Sequence, residues 1–326
     1  MEMHVRQCRT MLLSITTALL LTGCATGTSH TFGAAAPGPP AQRLVESPTS
    51  QSSDDASGGI FASALIGDDT ALVVGPDGDI RELWGYSVTA SYDCSAYVYV
   101  HESGIFHQTA AAEPSLVLDP ATLADEVTWF TFGGWVDDGA ALLVRVFLED
   151  QTAESLIVPI DGSGAARAED LDDVTWMEPA LSGTLDALVR QPDIDSVTGW
   201  IEIRDRTSDE SVARLTLPDG VLPSSIGWLP DGTLLAGAST PQGASQPEIR
   251  RIDPATGQFL DIIELAANSA TRPTFAISPD GTEIAFVDRD DLEWPDHRLV
   301  IQRLSDGTAE SIELPLGNRQ AVTGWC

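Results

Sequence analysis

The chain contains no lysine: its 17 basic residues are all arginine, and 49 Asp and Glu residues give a net charge of −32 at pH 7. An acidic field of this size repels nucleic-acid phosphates and anionic lipid headgroups. Motifs of common enzymes are also missing, since there is no Gly-x-Ser-x-Gly elbow, His-Glu-x-x-His helix, Cys-x-x-Cys pair or Gly-Lys-Ser/Thr loop. We therefore expect no nucleic-acid partner and assign no catalytic residue.

One apolar run is present, Leu12–Leu21, and it is shorter than the roughly 20 residues that span a bilayer. With Arg6 and Arg9 in front of it, the run has the layout of an export signal. The following Leu21-Thr22-Gly23-Cys24 resembles the bacterial lipobox. This resemblance implies a lipoprotein signal peptide over residues 1–23 and lipidation of Cys24, with palmitate among its acyl chains. The alternative is an ordinary cleaved signal, or a buried helix with a chance cysteine.

Residues 24–59 are rich in Gly, Pro, Ser and Ala and have almost no apolar clusters. Such a composition predicts a disordered tether behind the lipidated cysteine. Residues 60–326 are then one domain, which we expect at the cell membrane, lipid-anchored on its extracytoplasmic face.

This domain is repetitive. The segments "GWLPDGTLLAGA" and "AISPDGTEIAFV" share an Asp-Gly turn before an apolar strand, and similar turns recur at spacings of 44 to 49 residues. A second turn follows each of them after 22 to 26 residues, so each unit predicts four strands, a to d. The first turns lie at Asp93, Asp138, Ser182, Asp231 and Asp280, and the second turns at Asp119, Asp161, Asp205, Asp253 and Asp306.

Four-stranded units of this length are typical of β-propeller blades. The stretch Ser278–Phe286, "SPDGTEIAF", resembles the WD40-like repeats of TolB-type propellers. This resemblance implies an all-β propeller that meets protein partners of the cell envelope, and we expect the contact on the face of the b-to-c loops.

The ends of the domain are complementary. Residues 59–84 supply strands b to d of a blade, and the closing "AVTGWC" matches strand a, which predicts six blades closed by a one-plus-three seam. Closure brings Cys326 beside the a-to-b turn of the next blade, which contains Cys94. In an oxidising compartment this predicts a Cys94–Cys326 disulfide, with two free thiols as the alternative.

Two b-to-c segments carry polar residues that suggest a weak ligand or cation face. Their oxygen-rich loops suit Ca²⁺ better than Zn²⁺, although the calcium-loop spacing is absent and a solvated acidic rim is the alternative. The candidates are His101, Glu102, His107, Asp288, Asp290, Asp291 and His297.

Other recurrent residues have structural roles. We expect the first-turn aspartates to cap turns and Trp135, Trp176, Trp228 and Trp325 to pack between blades, with an aromatic channel lining as the alternative. The leading function is an envelope docking module. One alternative is a hydrolase or lyase acting on glycans or peptides, which predicts a deep central pocket with convergent carboxylates or with His101, His107 and His297 pointing inward. The other is a small-ligand or cation-binding protein.

Overall fold

A computed structural model of the chain shows a closed ring of β-sheets. It describes residues 59–63, 70–85, 87–91, 94–101, 103–109, 112–123, 127–136, 139–149, 152–181, 183–192, 199–217, 222–239, 248–266, 274–289, 297–315 and 321–326. None of the helices within these ranges has the length and hydropathy to cross a membrane.

The strands form six antiparallel sheets of four strands each, which confirms the predicted six-bladed, all-β propeller. Blade 1 contains β1 (Ile60–Ser63), β2 (Thr70–Val74) and β3 (Ile80–Trp84), together with the last strand of the chain. Blade 2 contains β4 (Ser87–Ala90), β5 (Ala96–His101), β6 (Gly104–Thr109) and β7 (Ser115–Leu118). Blade 3 contains β8 (Val127–Val136), β9 (Ala141–Leu148), β10 (Ala153–Pro159) and β11 (Ala166–Arg167).

The remaining blades follow the same order along the chain. Blade 4 contains β12 (Val174–Pro179), β13 (Leu185–Arg190), β14 (Trp200–Asp205) and β15 (Glu210–Thr216). Blade 5 contains β16 (Leu222–Trp228), β17 (Leu234–Ser239), β18 (Glu248–Asp253) and β19 (Gln258–Glu264). Blade 6 contains β20 (Phe275–Ile277), β21 (Glu283–Arg289), β22 (His297–Arg303) and β23 (Ala309–Glu313), and β24 (Ala321–Trp325) then joins blade 1. Short 3-10 helices lie at Pro120–Thr122 and Glu169–Leu171.

The seam has the predicted one-plus-three arrangement. Strand β24 pairs antiparallel with β1, so that Trp325 lies opposite Ile60. Reciprocal backbone hydrogen bonds of 2.8 Å join Gly59 and Cys326 just beyond this pair. The last strand of the chain is thus the innermost strand of the first blade.

The predicted disulfide is present at this seam. Cys94 and Cys326 are bonded, with 5.5 Å between their Cα atoms. Cys94 has a φ of 58°, and the equivalent a-to-b turn residues Gly232 and Gly281 have φ values of 83° and 70°. Cys94 therefore holds a left-handed conformation that favours glycine. The disulfide fixes it there.

The core consists of six apolar clusters, each shared by two neighbouring blades. Ile60 and Val322 of blade 1 pack with Ala285 and Leu299 of blade 6, for example. Because every blade shares one cluster with each neighbour, the ring closes through its own side chains as well as through the seam. Burial of apolar area at these six interfaces is the main force that holds the propeller together.

The turn aspartates act as predicted where the structure describes them. The carboxylate of Asp231 accepts hydrogen bonds from the Thr233 amide and hydroxyl groups at 2.9 and 2.6 Å. Asp280 accepts from the corresponding groups of Thr282 at 3.0 and 2.8 Å. The Thr233 bonds hold the pKa of the Asp231 carboxyl below its usual range. For Asp280 the largest cause of the same effect is a 2.7 Å hydrogen bond from the Ser278 hydroxyl, followed by the Thr282 bonds. Asp93 and Asp138 lie outside the described residues.

The second turn predicted at Asp119 is wrong. Asp119 follows strand d of blade 2, where its carboxylate accepts a 2.9 Å hydrogen bond from the Ala121 amide and caps a 3-10 helix. The b-to-c hairpin of this blade spans only the two residues between His101 and Gly104, so strands c and d come earlier than the repeat predicts. Asp161, Asp205, Asp253 and Asp306 do lie at c-to-d turns.

Candidate functional site in the central channel

The ring encloses a central cavity of about 210 Å³, which is lined by strand a of all six blades. One face of the ring carries the a-to-b and c-to-d turns and is called the turn face here; the opposite face is called the loop face. Leu181 and Pro279, both in a-to-b turns, line the cavity and are exposed to solvent. The cavity therefore opens on the turn face.

Six equivalent positions, one in each blade, surround this cavity. In blades 2 to 6 the position lies five residues before the a-to-b turn glycine, or before Cys94 in blade 2, and in blade 1 it is the glycine of the Gly-Trp pair. All six line the cavity. In blade order they are Gly324, Thr89, Gly134, Glu178, Gly227 and Ala276.

Small residues at this level permit close contact between neighbouring strands. A Cβ atom on Gly134 would lie 1.9 Å from the Met177 carbonyl oxygen, and Gly134 also has a φ of 123°. A Cβ atom on Gly227 would lie 2.8 Å from Cδ1 of Ile277. Blade 4 departs from this pattern because Glu178 brings a long, ionisable side chain to a level where the other blades have Gly, Ala or Thr.

The surroundings of Glu178 are aromatic and apolar. Burial raises the pKa of the Glu178 carboxyl to about 8. Trp176 lies two positions earlier on β12, hence on the same side of the strand, and its presence lowers this pKa by a smaller amount. The Trp228 indole N–H donates a 2.8 Å hydrogen bond to the Glu178 carbonyl oxygen, which ties blade 5 to this point.

Glu178 is also the sole ionisable side chain on the cavity wall among the described residues, since Cys94 is in a disulfide. The other lining groups are the hydroxyls of Thr and Ser, backbone atoms and apolar or aromatic side chains. A single carboxyl surrounded by indoles is chemically suited to bind one cationic or hydrogen-bonding group.

The tryptophans mostly pack between blades, as predicted, and also border the cavity. Trp135 and Trp228 are buried in clusters that each join their blade to the preceding one, and Trp325 packs against the cluster shared by blades 6 and 1. Trp176 is not equivalent to these three, because Pro179 occupies the matching position of blade 4. The channel lining and the inter-blade packing are thus made by the same residues.

The structure does not bring the predicted histidines of blade 2 together. His101 ends β5, and its Nδ1 lies 3.0 Å from the Ser103 hydroxyl. His107 is not in the b-to-c loop, as predicted, but within strand β6 opposite Val98. Residues 98 and 101 of one strand face opposite sides of the sheet, so His101 and His107 do as well. Burial lowers the pKa of His107.

Asp288 is also in a strand and not in the blade 6 loop. It is buried in β21, and its Oδ2 forms a 3.0 Å ion pair with Arg298 of the adjacent strand. The backbone of His297 begins β22. The side chain of His297 and all of Glu102, Asp290 and Asp291 lie outside the described residues. Within the described part of the chain, no three His, Cys, Asp or Glu side chains form a group that could hold a metal ion.

The prediction from sequence did not identify Glu178. In a chain with 49 acidic residues, one more glutamate carries no signal. Its signal appears when the repeats are aligned on their turn glycines, because Glu-Pro then replaces the Gly-Trp pair of three other blades.

Solved structures share the fold. TolB from Acinetobacter baumannii superposes with a TM-score of 0.60 at 13% identity, over 82% of this chain and 66% of that one. A TolB candidate from Agrobacterium tumefaciens gives 0.56 at 18% identity, over 80% and 90% of the two chains. An oligogalacturonate lyase in complex with manganese gives 0.50 at 16% identity, over 78% and 73%. Likeness at these identities shows the fold alone.

No protein-family model and no curated protein sequence matches the chain. The chain spans slightly less than two thirds of the length of the Acinetobacter protein. The structural likeness agrees with the resemblance of the sequence repeats to those of TolB-type propellers, because TolB structures are among those with the same propeller fold.

Proposed function

We propose that this protein is a lipid-anchored extracytoplasmic binding module whose propeller docks a protein of the cell envelope over the channel mouth. The observation that carries the proposal is the cavity itself, which opens among exposed apolar residues and has one carboxyl in its wall. The TolB-like fold and the lipobox resemblance support it.

The size of the cavity favours a protein ligand. Pockets that take drug-sized molecules usually measure about 300–1,000 Å³, whereas this cavity measures about 210 Å³. It has room for one side chain, and the remaining contact area must come from the rim. Leu181 is 59% exposed at that rim and provides an apolar contact beside the opening.

The turn face is also strongly acidic. Six turn-face aspartates have pKa values lowered by hydrogen bonds within their turns, so they stay ionised at neutral pH. A partner with a basic patch is complementary to this face and would be steered towards it. The six are Asp161, Asp205, Asp231, Asp253, Asp280 and Asp306.

The sequence favoured the loop face as the contact surface, but the cavity opens on the turn face. A catalytic role is left out of the proposal, since glycan cleavage commonly uses two carboxyl groups and the described cavity wall supplies one. The likeness to a lyase fold adds no catalytic residue to this wall.

The anchor is tested by metabolic labelling with an alkyne analogue of palmitate. The wild-type chain should take up label in a bacterial host and remain in the membrane fraction, whereas Cys24→Ser should lose both properties. Cys8→Ser is the matched control and should behave as wild type, because Cys8 lies within the signal peptide. Label that persists in Cys24→Ser would contradict the lipobox assignment.

Docking is tested in living cells with a photo-crosslinking amino acid in the full-length chain. Placed at Leu181 on the turn face, it should give an adduct of defined mass with an envelope protein. Placed at Ser103, an exposed residue of the loop face, it should give none. Equal adducts at both positions, or none at Leu181, would remove the turn face as the docking surface.

A further inference from the structure

We propose that the central channel recognises a lysine side chain of the docked partner, whose ammonium group binds the Glu178 carboxylate while its methylene stem lies along the aromatic wall. This inference rests on the proposed docking function and names the chemical group that the docking site recognises. It also gives a role to the ionisable side chain that blade 4 alone has at this level of the described channel wall.

The geometry places a single acceptor inside the channel. Of the six equivalent positions around the cavity, five carry Gly, Ala or Thr, and the sixth is Glu178. A structural role in closing the ring would not need a carboxyl here, since five blades close with small residues. At this level, where strand a of each blade lines the cavity, blade 4 has an ionisable carboxyl in place of a small side chain.

The wall around this carboxyl suits a cation on an apolar stem. Trp176 and Trp228 line the cavity next to Glu178, and the Trp228 indole N–H donates to the Glu178 backbone carbonyl oxygen. Cations are attracted to indole faces, by about 0.5 to 2 kcal/mol depending on desolvation. A neutral apolar ligand would leave the carboxyl without a partner, whereas an ammonium group gains a charge-assisted hydrogen bond.

An ammonium group fits better than a guanidinium group. Lysine has three donors on a compact head and arginine has five in a rigid fork, and the two oxygens of one carboxylate can accept from two of these donors in either case. The described cavity wall has one carboxylate, with hydroxyl groups at Thr89 and Thr323. Lysine then leaves one donor for the other acceptors of the wall, whereas arginine leaves three.

The ammonium group cannot come from a lysine of a second copy of this protein, because the chain has no lysine. The aspartates of the turn face extend the same electrostatic preference outwards, so a basic side chain meets a negative potential before it enters the channel.

Binding should be linked to the release of a proton. Burial keeps the free Glu178 carboxyl largely protonated at neutral pH, with a pKa of about 8, so a cation must displace that proton. The neighbouring strands β8 and β16 present Gly134, Trp135, Gly227 and Trp228 to the cavity, and no other titratable side chain faces Glu178 from the described wall. Affinity for an ammonium group should therefore rise about tenfold per pH unit up to about pH 8.

The test uses the full chain purified in detergent and two blocked tripeptides, acetyl-Gly-Lys-Gly-amide and its norleucine analogue. Binding is measured by calorimetry and tryptophan fluorescence at about pH 6, 7 and 8.5. The lysine peptide should bind about 100-fold more tightly at the highest pH than at the lowest, and the norleucine peptide should not bind. Glu178→Gln should abolish lysine binding, while Glu310→Gln, an exposed control, should not change it.

Several results would overturn the inference: equal binding of the norleucine peptide, pH-independent binding, unchanged binding by Glu178→Gln, or no binding of the lysine peptide at millimolar concentration. Putrescine separates a free amine from a protein side chain, because tight binding of putrescine without binding of the lysine peptide would contradict a docked lysine. If the crosslink at Leu181 persists when the peptides fail, the lysine inference falls and the docking function stands. If both fail, both fall.

Discussion

Replacing Cys326 with serine should lower the free energy of unfolding by about 5 kcal/mol. The disulfide joins residues that are 232 positions apart in sequence, so it closes almost the whole propeller into one covalent ring. In the loop-entropy treatment, a cross-link of this span strongly restricts the unfolded chain. Without it, the seam relies on the pairing of β24 with β1 and on the clusters at the two interfaces of blade 1.

The measurement is urea unfolding of the full chain, followed by tryptophan fluorescence. Cys94→Ser and the double variant should lose as much stability as Cys326→Ser, because each removes the same bond. Dithiothreitol should destabilise the wild type by a similar amount and leave the double variant unaffected. Losses that add up in the double variant would show that the two cysteines act independently.

Replacing Glu178 with glutamine should have the opposite effect and stabilise the protein, by about 3 to 5 kcal/mol at about pH 8.5. A carboxyl with a higher pKa in the folded state binds more protons when folded. The free energy of unfolding of the wild type therefore falls as the pH rises from about 4.5, the unfolded value, to about 8, the folded value. Below this window the proton is bound in both states, and the advantage of glutamine should vanish.

Unfolding of both proteins across this pH range measures the effect. The matched control is Glu310→Gln, which removes an exposed carboxyl from strand β23 and should shift stability little at any pH. A wild-type protein as stable as Glu178→Gln at about pH 8.5 would mean that the carboxyl is well solvated. This stability cost is consistent with a binding role, because a bound cation would offset the cost of an ionised carboxyl in the folded protein.

The architecture could be predicted from sequence because its signals are local and repeated. Asp-Gly turns require specific backbone angles, and alternation of apolar residues after them marks strand b, so the repeats at Asp231 and Asp280 fix the blade pattern. Closure followed from the fragments at the two ends, and the disulfide from closure. Strand c of blade 2 is not predicted, because apolar and polar residues alternate only weakly in "GIFHQT". This segment is nevertheless a strand, since it pairs with β5.

The site was harder to predict than the fold because it depends on a difference between repeats. His107 and Asp288 were attributed to loops from their polarity, yet both lie in strands, where Asp288 is neutralised by Arg298. Glu178 belongs to no sequence motif, and its possible role is seen only from its place on the channel wall. A position-by-position alignment of the six repeats distinguishes Glu178 from the small residues at the equivalent positions of the other blades.

Both the stability and the binding predictions for Glu178 require that its carboxyl is desolvated in the channel wall. The most direct test is an NMR titration of the full chain with ¹³C-labelled glutamate carboxyl groups, in which the Glu178→Gln spectrum identifies the Glu178 signal. The account predicts a titration midpoint of about 8 that falls when the lysine peptide is added. A midpoint at the ordinary glutamate value, about 4.3, with no response to the peptide, would contradict it.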